Sequence, residues 1–266
     1  MQHKWIDIGV NLTDGAFSRD LPDVIERAAE SGVETLVVTG TSLEESEAAV
    51  KLCEQYPDHL VCTVGIHPHD AKSVDTKTRQ ALLDLYQHPA AVAVGETGLD
   101  FNRNFSEPAQ QIKAFEMQLE LAAETGLPLF LHERDAFKQQ QEMLRTYRDD
   151  IVDAVAHCFT GEKSALYGYL DLDLYIGITG WICDERRGTH LHPLLTDIPA
   201  TRLLLETDAP YLLPRDLKPK PKSRRNEPCH LPHIANKVAE LTGKSAEQLS
   251  EETLANTQHF FRLDKR

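Results

Sequence analysis

Eight short apolar runs recur along the chain, separated by segments whose apolar residues have helical spacing. The runs are continuously apolar rather than alternating, which predicts strands buried on both faces. Strands that alternate with helices pair in parallel through right-handed crossovers. The runs are Trp5–Leu12, Thr35–Gly40, Leu60–His67, Ala91–Gly98, Pro128–His132, Ala154–Phe159, Leu174–Thr179 and Leu203–Asp208.

Eight such units in 266 residues predict an α/β protein, a single TIM-type (β/α)8 barrel that forms one domain over residues 1–266. A doubly wound open sheet is the alternative that periodicity leaves open. The C-terminal tail predicts two more helices, so we expect residues 231–263 to pack on the outside of the barrel. The intervening helices are predicted at Leu21–Ser31, Leu43–Tyr56, Thr76–Gln87, Pro108–Thr125 and Ala136–Arg148.

Composition narrows the class of function. The formal charge of −14 argues against binding nucleic acid through a general basic surface. The five cysteines are odd in number and lack a C-x-x-C pair, which argues against a disulfide framework. The N-terminus lacks the apolar segment of a signal peptide, and no run reaches the ~20 apolar residues of a membrane helix. We therefore expect a cytoplasmic protein.

One segment concentrates positive charge. The loop Pro214–Pro228 follows the last predicted strand and holds four prolines and six cations. Its prolines exclude regular helix or strand. In an acidic protein it is the predicted phosphate-contacting element, with a solvated linker as the alternative.

Metal-type ligands stand at the ends of four predicted strands. Glu96, His132, His157 and Asp208 close strands four, five, six and eight. A barrel would bring the carboxyl ends of these strands to one mouth, where its chemistry lies. A single such residue has an ordinary structural explanation, but four without an ion would leave charge unpaired in a partly desolvated mouth. The sequence therefore predicts a divalent metal site.

Short motifs that run the length of the chain resemble the TatD family of metal-dependent deoxyribonucleases. They include G-I-H-P-H from Gly65, G-E-T-G-L-D from Gly95, H-C-F-T-G from His157 and E-T-D-A-P-Y-L from Glu206. Two stretches, at Asp7 and at Gly180, look like the family's namesake rather than its paralogues.

The resemblance implies the TIM barrel of the amidohydrolase-like metal-dependent hydrolases and places the metal ligands on Glu96, His132, His157 and Asp208. Family members mostly open with an H-x-H pair on the first strand, where this chain has Gly9 and Asn11. We therefore expect one firm metal site and a weaker second one. Mg²⁺ is the first expectation, with Mn²⁺ and Zn²⁺ as alternatives.

The expected reaction is phosphodiester hydrolysis. The bound metal would polarise a phosphoryl oxygen and activate water, while Asp208, His67 and Glu96 carry the catalytic roles. His67 and Arg134 would stabilise charge on the phosphoryl oxygens. The residues expected to contact substrate are Arg134, Arg224, Arg225 and Asn11.

A barrel mouth admits a strand end more easily than a duplex, which favours an exonuclease on single strands. The resemblance implies 3′→5′ polarity on DNA, with RNA as a further substrate and a role in DNA repair or degradation. Stacking residues are expected among Phe101, Phe105, Trp181 and Tyr211, with core packing as the alternative. We expect a monomer with no obligate protein partner and no membrane contact. Two other hypotheses remain: an amidohydrolase or phosphotriesterase-like hydrolase of a small molecule, and a non-enzymatic binding protein with a degenerate site.

Overall fold

The computed structural model describes residues 3–263, and the chain divides into two compact units. The first unit comprises the described parts of Met1–Val38, Cys158–Leu166 and Ile176–Arg266. The second unit comprises Thr39–His157 and Tyr167–Tyr175. The assignment of residues 1–266 to a single domain stays a prediction.

All eight predicted strands are present, and they form one sheet in the order in which they occur along the chain. Strands β1 and β4 are buried along their whole length, as continuous apolar character requires. The strands are β1 Trp5–Val10, β2 Val33–Val38, β3 Leu60–Val64, β4 Ala91–Asp100, β5 Leu129–Arg134, β6 Ala154–Ala156, β7 Tyr175–Ile178 and β8 Leu203–Leu205.

Helices follow the strands, and the described range contains one that the sequence reading did not predict, at Lys163–Leu170. It is short, and Gly168 interrupts its apolar spacing. Between β7 and β8 the chain forms 3₁₀ turns instead of an α-helix. The α-helices are α1 Leu21–Glu30, α2 Leu43–Gln55, α3 Thr78–Tyr86, α4 Pro108–Thr125, α5 Phe137–Tyr147, α6 Lys163–Leu170, α7 Leu231–Thr242 and α8 Ala246–Phe261.

In the second unit, β3, β4, β5 and β6 pair in parallel, each with the next. In the first unit, β1 pairs in parallel with β2, and β7 with β8. A parallel bridge between Val10 and Ala209 also joins the end of β1 to the segment after β8. The first and last strands of the chain therefore lie side by side.

The two C-terminal helices are present in the first unit, where α8 packs against β1 and β8 and α7 packs against α8. No helix within residues 3–263 combines the length and apolar character that crossing a membrane requires.

Three strands end three residues earlier than the sequence predicted. Strands β3, β6 and β8 stop before His67, Phe159 and Asp208. Cys158 and Asp208 adopt left-handed backbone conformations, with φ of 45° and 54°. A strand cannot contain such residues, so the polar residues that follow these strands lie in sharp turns.

Candidate metal centre

One carboxylate oxygen lies at the centre of a histidine cluster in the second unit. Oε1 of Glu96 lies 2.8 Å from Nε2 of His157, 2.9 Å from Nδ1 of His132 and 3.2 Å from Nε2 of His67. Glu96, His67 and His157 are 6%, 8% and 7% exposed. The structure thus brings together three of the four predicted metal ligands and the predicted catalytic His67.

A bulge in β4 directs Glu96 into this cluster. Val94 pairs with Leu129 and Thr97 with Leu131, so β4 advances three residues while β5 advances two. Gly95 takes a φ of +149°, and a Cβ there would lie 2.3 Å from the carbonyl oxygen of Phe130. Only glycine fits this position. The extra residue re-aims the side chain of Glu96.

His67 has a fixed tautomer in this arrangement. It caps the 3₁₀ turn Pro68–Ser73, and its Nδ1 accepts a hydrogen bond of 3.0 Å from the backbone N–H of His69. A neutral imidazole whose Nδ1 accepts carries its proton on Nε2. Nε2 of His67 is therefore a donor toward Glu96, and it is not free to bind a metal while the cap persists.

His132 lies between two carboxylates. Its Nδ1 bonds to Glu96, while its Nε2 lies 3.4 Å from Oδ2 of Asp100. That separation exceeds the roughly 2.7–2.9 Å of a charge-assisted hydrogen bond, and the buried Nε2 has no hydrogen-bond partner. Asp100 is engaged instead by Nε2 of His69 at 2.6 Å.

The cluster fits a divalent cation. A nitrogen of His67, a nitrogen of His132 and a carboxylate oxygen of Glu96 all lie within 4.8 Å of one another. A carboxylate oxygen offers about two lone pairs, too few for three imidazole donors at once. With His67 as the donor, the nitrogen lone pairs of His132 and His157 become available to a cation beside Glu96. Mixed nitrogen and oxygen ligation suits Zn²⁺, Mn²⁺ and related ions.

The charges of the cluster also favour a cation. Burial acts to raise the pKa of Glu96, but the neighbouring His157 and His132 hold it well below its usual value. The pKa of Asp100 is likewise lowered, since nearby His132 and the hydrogen bonds from the backbone of Arg103 and from His69 outweigh its burial. Burial lowers the pKa of His67 to about 4. At neutral pH two carboxylates are therefore ionised beside a neutral His67.

Buried glutamines hold the backbone around the cluster. Gln118 exchanges hydrogen bonds of 2.8 and 3.0 Å with the backbone of Ile66, just before His67. Gln111 does the same for Asp100, at 2.8 and 2.9 Å. Gln140 accepts a bond from the residue before Asp100. Fixed strand ends keep ligating side chains in place without a bound ion.

Asp208 and Asn11 lie in the first unit, where their side chains are hydrogen-bonded to each other. Nδ2 of Asn11 donates to Oδ1 of Asp208 at 3.1 Å and to the carbonyl of Ala209 at 3.3 Å. The backbone N–H of Asp208 donates to the carbonyl of Gly9 at 2.9 Å. Asn11 thus orients the carboxylate of Asp208.

A basic cleft of about 530 Å³ also lies in the first unit. Buried Asp184 forms ion pairs with Arg187 at 2.9 Å, with Arg186 at 3.3 Å and with Arg215 at 3.6 Å. The side chains of Arg186 and Arg187 remain more than half exposed. The cleft presents five cations against this single carboxylate: Arg186, Arg187, Arg215, Lys220 and Arg224.

The predicted substrate arginines differ in their surroundings. Arg224 is exposed and lines the cleft. Arg225 is engaged in a bidentate pair with Asp20, with both distances 2.7 Å, and in a further bond of 2.7 Å to Glu227. Arg134 is exposed at the end of β5 in the second unit.

Sequence reasoning did not select Asp100 or the supporting glutamines. Asp100 closes the G-E-T-G-L-D motif, four residues after Glu96, so its spacing along β4 was an available signal. Nothing in the sequence distinguishes Gln111 or Gln118 from the exposed Gln110 of the same helix, because their role depends on tertiary contacts.

Comparisons with known proteins agree with this architecture. The model of the family described as "TatD related DNase" matches residues 6–262 of the chain. The chain is 55% identical to the "3′-5′ ssDNA/RNA exonuclease TatD" of Edwardsiella piscicida, covering 97% of this chain and 99% of that protein. It is 50% identical to the protein of the same name from Escherichia coli K12, covering 96% and 98% of the two chains.

A solved structure shows the same fold. The crystal structure of a TatD family hydrolase from Entamoeba histolytica superposes with a TM-score of 0.89 at 26% identity and covers 98% of both chains. The predicted TIM-barrel hydrolase fold and the predicted resemblance are therefore confirmed. The chain belongs to the family of TatD related DNases.

Proposed function

We propose that this protein is a metal-dependent nuclease that removes nucleotides from the 3′ end of single-stranded DNA or RNA. The observation that carries the proposal is the Glu96 cluster, in which one buried carboxylate faces His67, His132 and His157. The names of relatives about 50% identical over nearly their whole length support the polarity and the substrate.

Glu96, His132 and His157 would hold the divalent cation. Such a cation would supply Lewis-acid polarisation of a phosphoryl oxygen and lower the pKa of a bound water. The position of Nδ1 of His132 and Nε2 of His157 within 2.9 Å of the same carboxylate oxygen of Glu96 supports this ligand set. Mg²⁺ stays the first expectation, with Mn²⁺ and Zn²⁺ as alternatives.

The side chains around the cation position would act directly on the substrate. His67 is a neutral donor whose N–H is already aimed at the carboxylate that would share the cation. It would donate to the phosphoryl oxygen on which charge develops. Arg134 is the second predicted donor to this oxygen. Asp208 keeps its predicted roles as a further ligand and as acceptor of the proton from the attacking water.

The basic cleft would bind the phosphates of the strand. Arg224 and the three arginines around Asp184 offer free N–H groups that match phosphate geometry. We propose a different role for Arg225, since its pairing with Asp20 and Glu227 suits it to anchoring the loop. In the second unit, Phe105 is 55% exposed beside His69, which suits a base-stacking residue.

A small-molecule hydrolase is the competing function, since the same cluster would serve it. The five cations of the cleft favour the nuclease, because a small neutral substrate gives them no partner. A cytoplasmic location and a monomeric state remain predictions from the sequence.

The test is an assay on single-stranded oligonucleotides labelled at the 5′ end, with and without a chelator. We expect a ladder that shortens from the 3′ end, loss of activity under chelation, recovery with Mg²⁺, and no activity in Glu96→Ala. A parallel panel of amides and esters tests the alternative. Turnover of that panel without any nucleotide release would overturn the proposal.

A further inference from the structure

A second group of metal-type side chains lies in the first unit, formed by residues from three separate segments. Cys183 ends the 3₁₀ turn Gly180–Cys183, Asp216 belongs to the proline-rich loop, and His233 lies in the first turn of α7. None of the three belongs to the Glu96 cluster. Neither spacing nor periodicity in the sequence links them.

The geometry of the group is compact. Sγ of Cys183, a carboxylate oxygen of Asp216 and an imidazole nitrogen of His233 all lie within 4.8 Å of one another. Nε2 of His233 lies 2.7 Å from Oδ1 of Asp216. Cys183 is buried, at 3% exposure, whereas the other two side chains reach solvent. An ion could therefore enter from the surface and meet a thiol at the bottom of the site.

The chemistry of the three groups matches one class of ion. Sulfur, imidazole nitrogen and carboxylate oxygen are the ligands of Zn²⁺, and three protein ligands leave the fourth tetrahedral position for water. Soft sulfur disfavours Mg²⁺ and Ca²⁺. We propose that Cys183, Asp216 and His233 form a second metal site, selective for Zn²⁺ or a similar thiophilic divalent ion.

The metal-free arrangement is a hydrogen-bonded trio. Burial and the adjacent Asp216 carboxylate raise the pKa of the Cys183 thiol to about 12, so a metal would displace its proton, as at other cysteine sites. Nearby Lys237 is paired with Glu240 at 3.0 Å, so part of its positive charge is neutralised.

Binding at this site would order the basic cleft. Asp216 lies between Arg215 and Leu217, both of which line the cleft. A bond from Asp216 to the ion, shared with helix α7, would fix this arm of the loop. The site would therefore act as a structural staple for the cleft, separate from catalysis.

Cobalt titration tests the site through a signal that catalysis does not influence. Co²⁺ bound to a thiolate gives a charge-transfer absorption band, which the nitrogen and oxygen ligands of the Glu96 cluster do not give. We expect this band in the intact protein, its loss in Cys183→Ser, and its displacement by Zn²⁺.

The control is Cys158→Ser, because Cys158 follows His157 directly and is the thiol closest in sequence to the predicted catalytic ligands. We expect the band to persist in this variant. His233→Ala should weaken Co²⁺ binding by more than the roughly 10–100-fold that loss of an outer hydrogen-bond partner costs. Circular dichroism confirms folding of each variant. Absence of the band from the intact protein, or its survival in Cys183→Ser, would overturn the proposal.

Discussion

The charged groups of the Glu96 cluster are buried, whereas the cations of the basic cleft are exposed. In the cluster, Glu96 and His157 are less than a tenth exposed and bonded to each other. In the cleft, Arg186 and Arg187 are more than half exposed, and a single buried carboxylate organises them. Buried charges act strongly and need fixed positions, whereas exposed charges are screened by water and salt.

This difference suggests that the cluster cleaves the bond and that the cleft binds the phosphates of the strand. Bond cleavage requires reacting groups held to within about 0.5 Å, which buried strand ends provide. Binding of phosphates along a flexible strand tolerates mobile side chains and gains from their number. Substitutions in the cluster should therefore cost far more than single substitutions in the cleft.

Replacing His157 should have the largest effect. His157→Ala removes one nitrogen beside Glu96, and we expect activity to fall by more than about 100-fold, together with metal affinity. The measurement is nucleotide release alongside metal content after dialysis. His88→Ala is the matched control, since His88 lies 3.4 Å from the partly exposed Glu54 and outside the cluster. Full activity in His157→Ala would show that the cluster is not the catalytic centre.

Replacing His67 should show whether this side chain is a hydrogen-bond donor to the substrate or a ligand of the metal. We expect His67→Ala to lower kcat by about 10²–10³-fold, the loss typical of a donor to a developing oxyanion. Metal content should stay unchanged, because Nε2 of His67 carries a proton. His67→Gln keeps an N–H donor and should recover part of the rate. Loss of the metal in both variants would contradict the tautomer assigned to His67.

Asp7 is a buried carboxyl group of the first unit, and its ionisation should make the stability of the protein depend on pH. It is fully buried, its Oδ2 lies 2.5 Å from Oγ1 of Thr207, and burial raises its pKa to about 8. The folded state then binds a proton that the unfolded state releases above about pH 4. The contribution of Asp7 to stability is present below that pH and is lost as pH rises toward 8.

Asp7→Asn mimics the protonated carboxyl and should flatten this dependence. We expect its free energy of unfolding to fall less between pH 5 and 8 than that of the native protein, by at least about 1 kcal/mol. Urea unfolding at several pH values measures the difference, with exposed Asp23→Asn as the control. Identical pH profiles for Asp7→Asn and the native protein would show that Asp7 is ionised when folded.

Single charges of the cleft should have the smallest effect. Arg224→Ala should reduce the slope of log affinity against log salt by about 1 while leaving kcat unchanged. Lys51→Ala on the exposed face of α2 is the control. Arg225→Ala should instead lower stability, because it breaks the pair with Asp20. An unchanged slope in Arg224→Ala would identify the loop as a linker.

The sequence predicted the helices and strands better than the bulges and turns at their ends. The apolar runs predicted all eight strands, since burial on both faces leaves a clear signal. Glu96, His132 and His157 were predicted because ligand-type residues follow several strands. The bulge that aims Glu96 was not predictable, since it depends on a close approach between Gly95 and Phe130.

Contacts between residues that lie far apart in the sequence were equally unpredictable from it. Arg225 reads as a free cation in a basic run, yet its partner Asp20 lies 205 residues earlier. Asp216 reads as one of two acids in the same loop, and nothing in the sequence places it beside Cys183 and His233. Functional assignments within charged loops therefore depend on tertiary contacts that composition does not encode.

The central claim is that Glu96, His132 and His157 hold the catalytic cation, and a crystal grown with Mn²⁺ tests it most directly. We expect an anomalous peak within ligand distance of a carboxylate oxygen of Glu96 and of nitrogens of His132 and His157, with Asp208 as the further predicted ligand. Glu96→Gln crystals treated identically should lack the peak and the protein should lack activity. An active enzyme whose Mn²⁺ lies elsewhere, with no peak beside Glu96, would contradict the account.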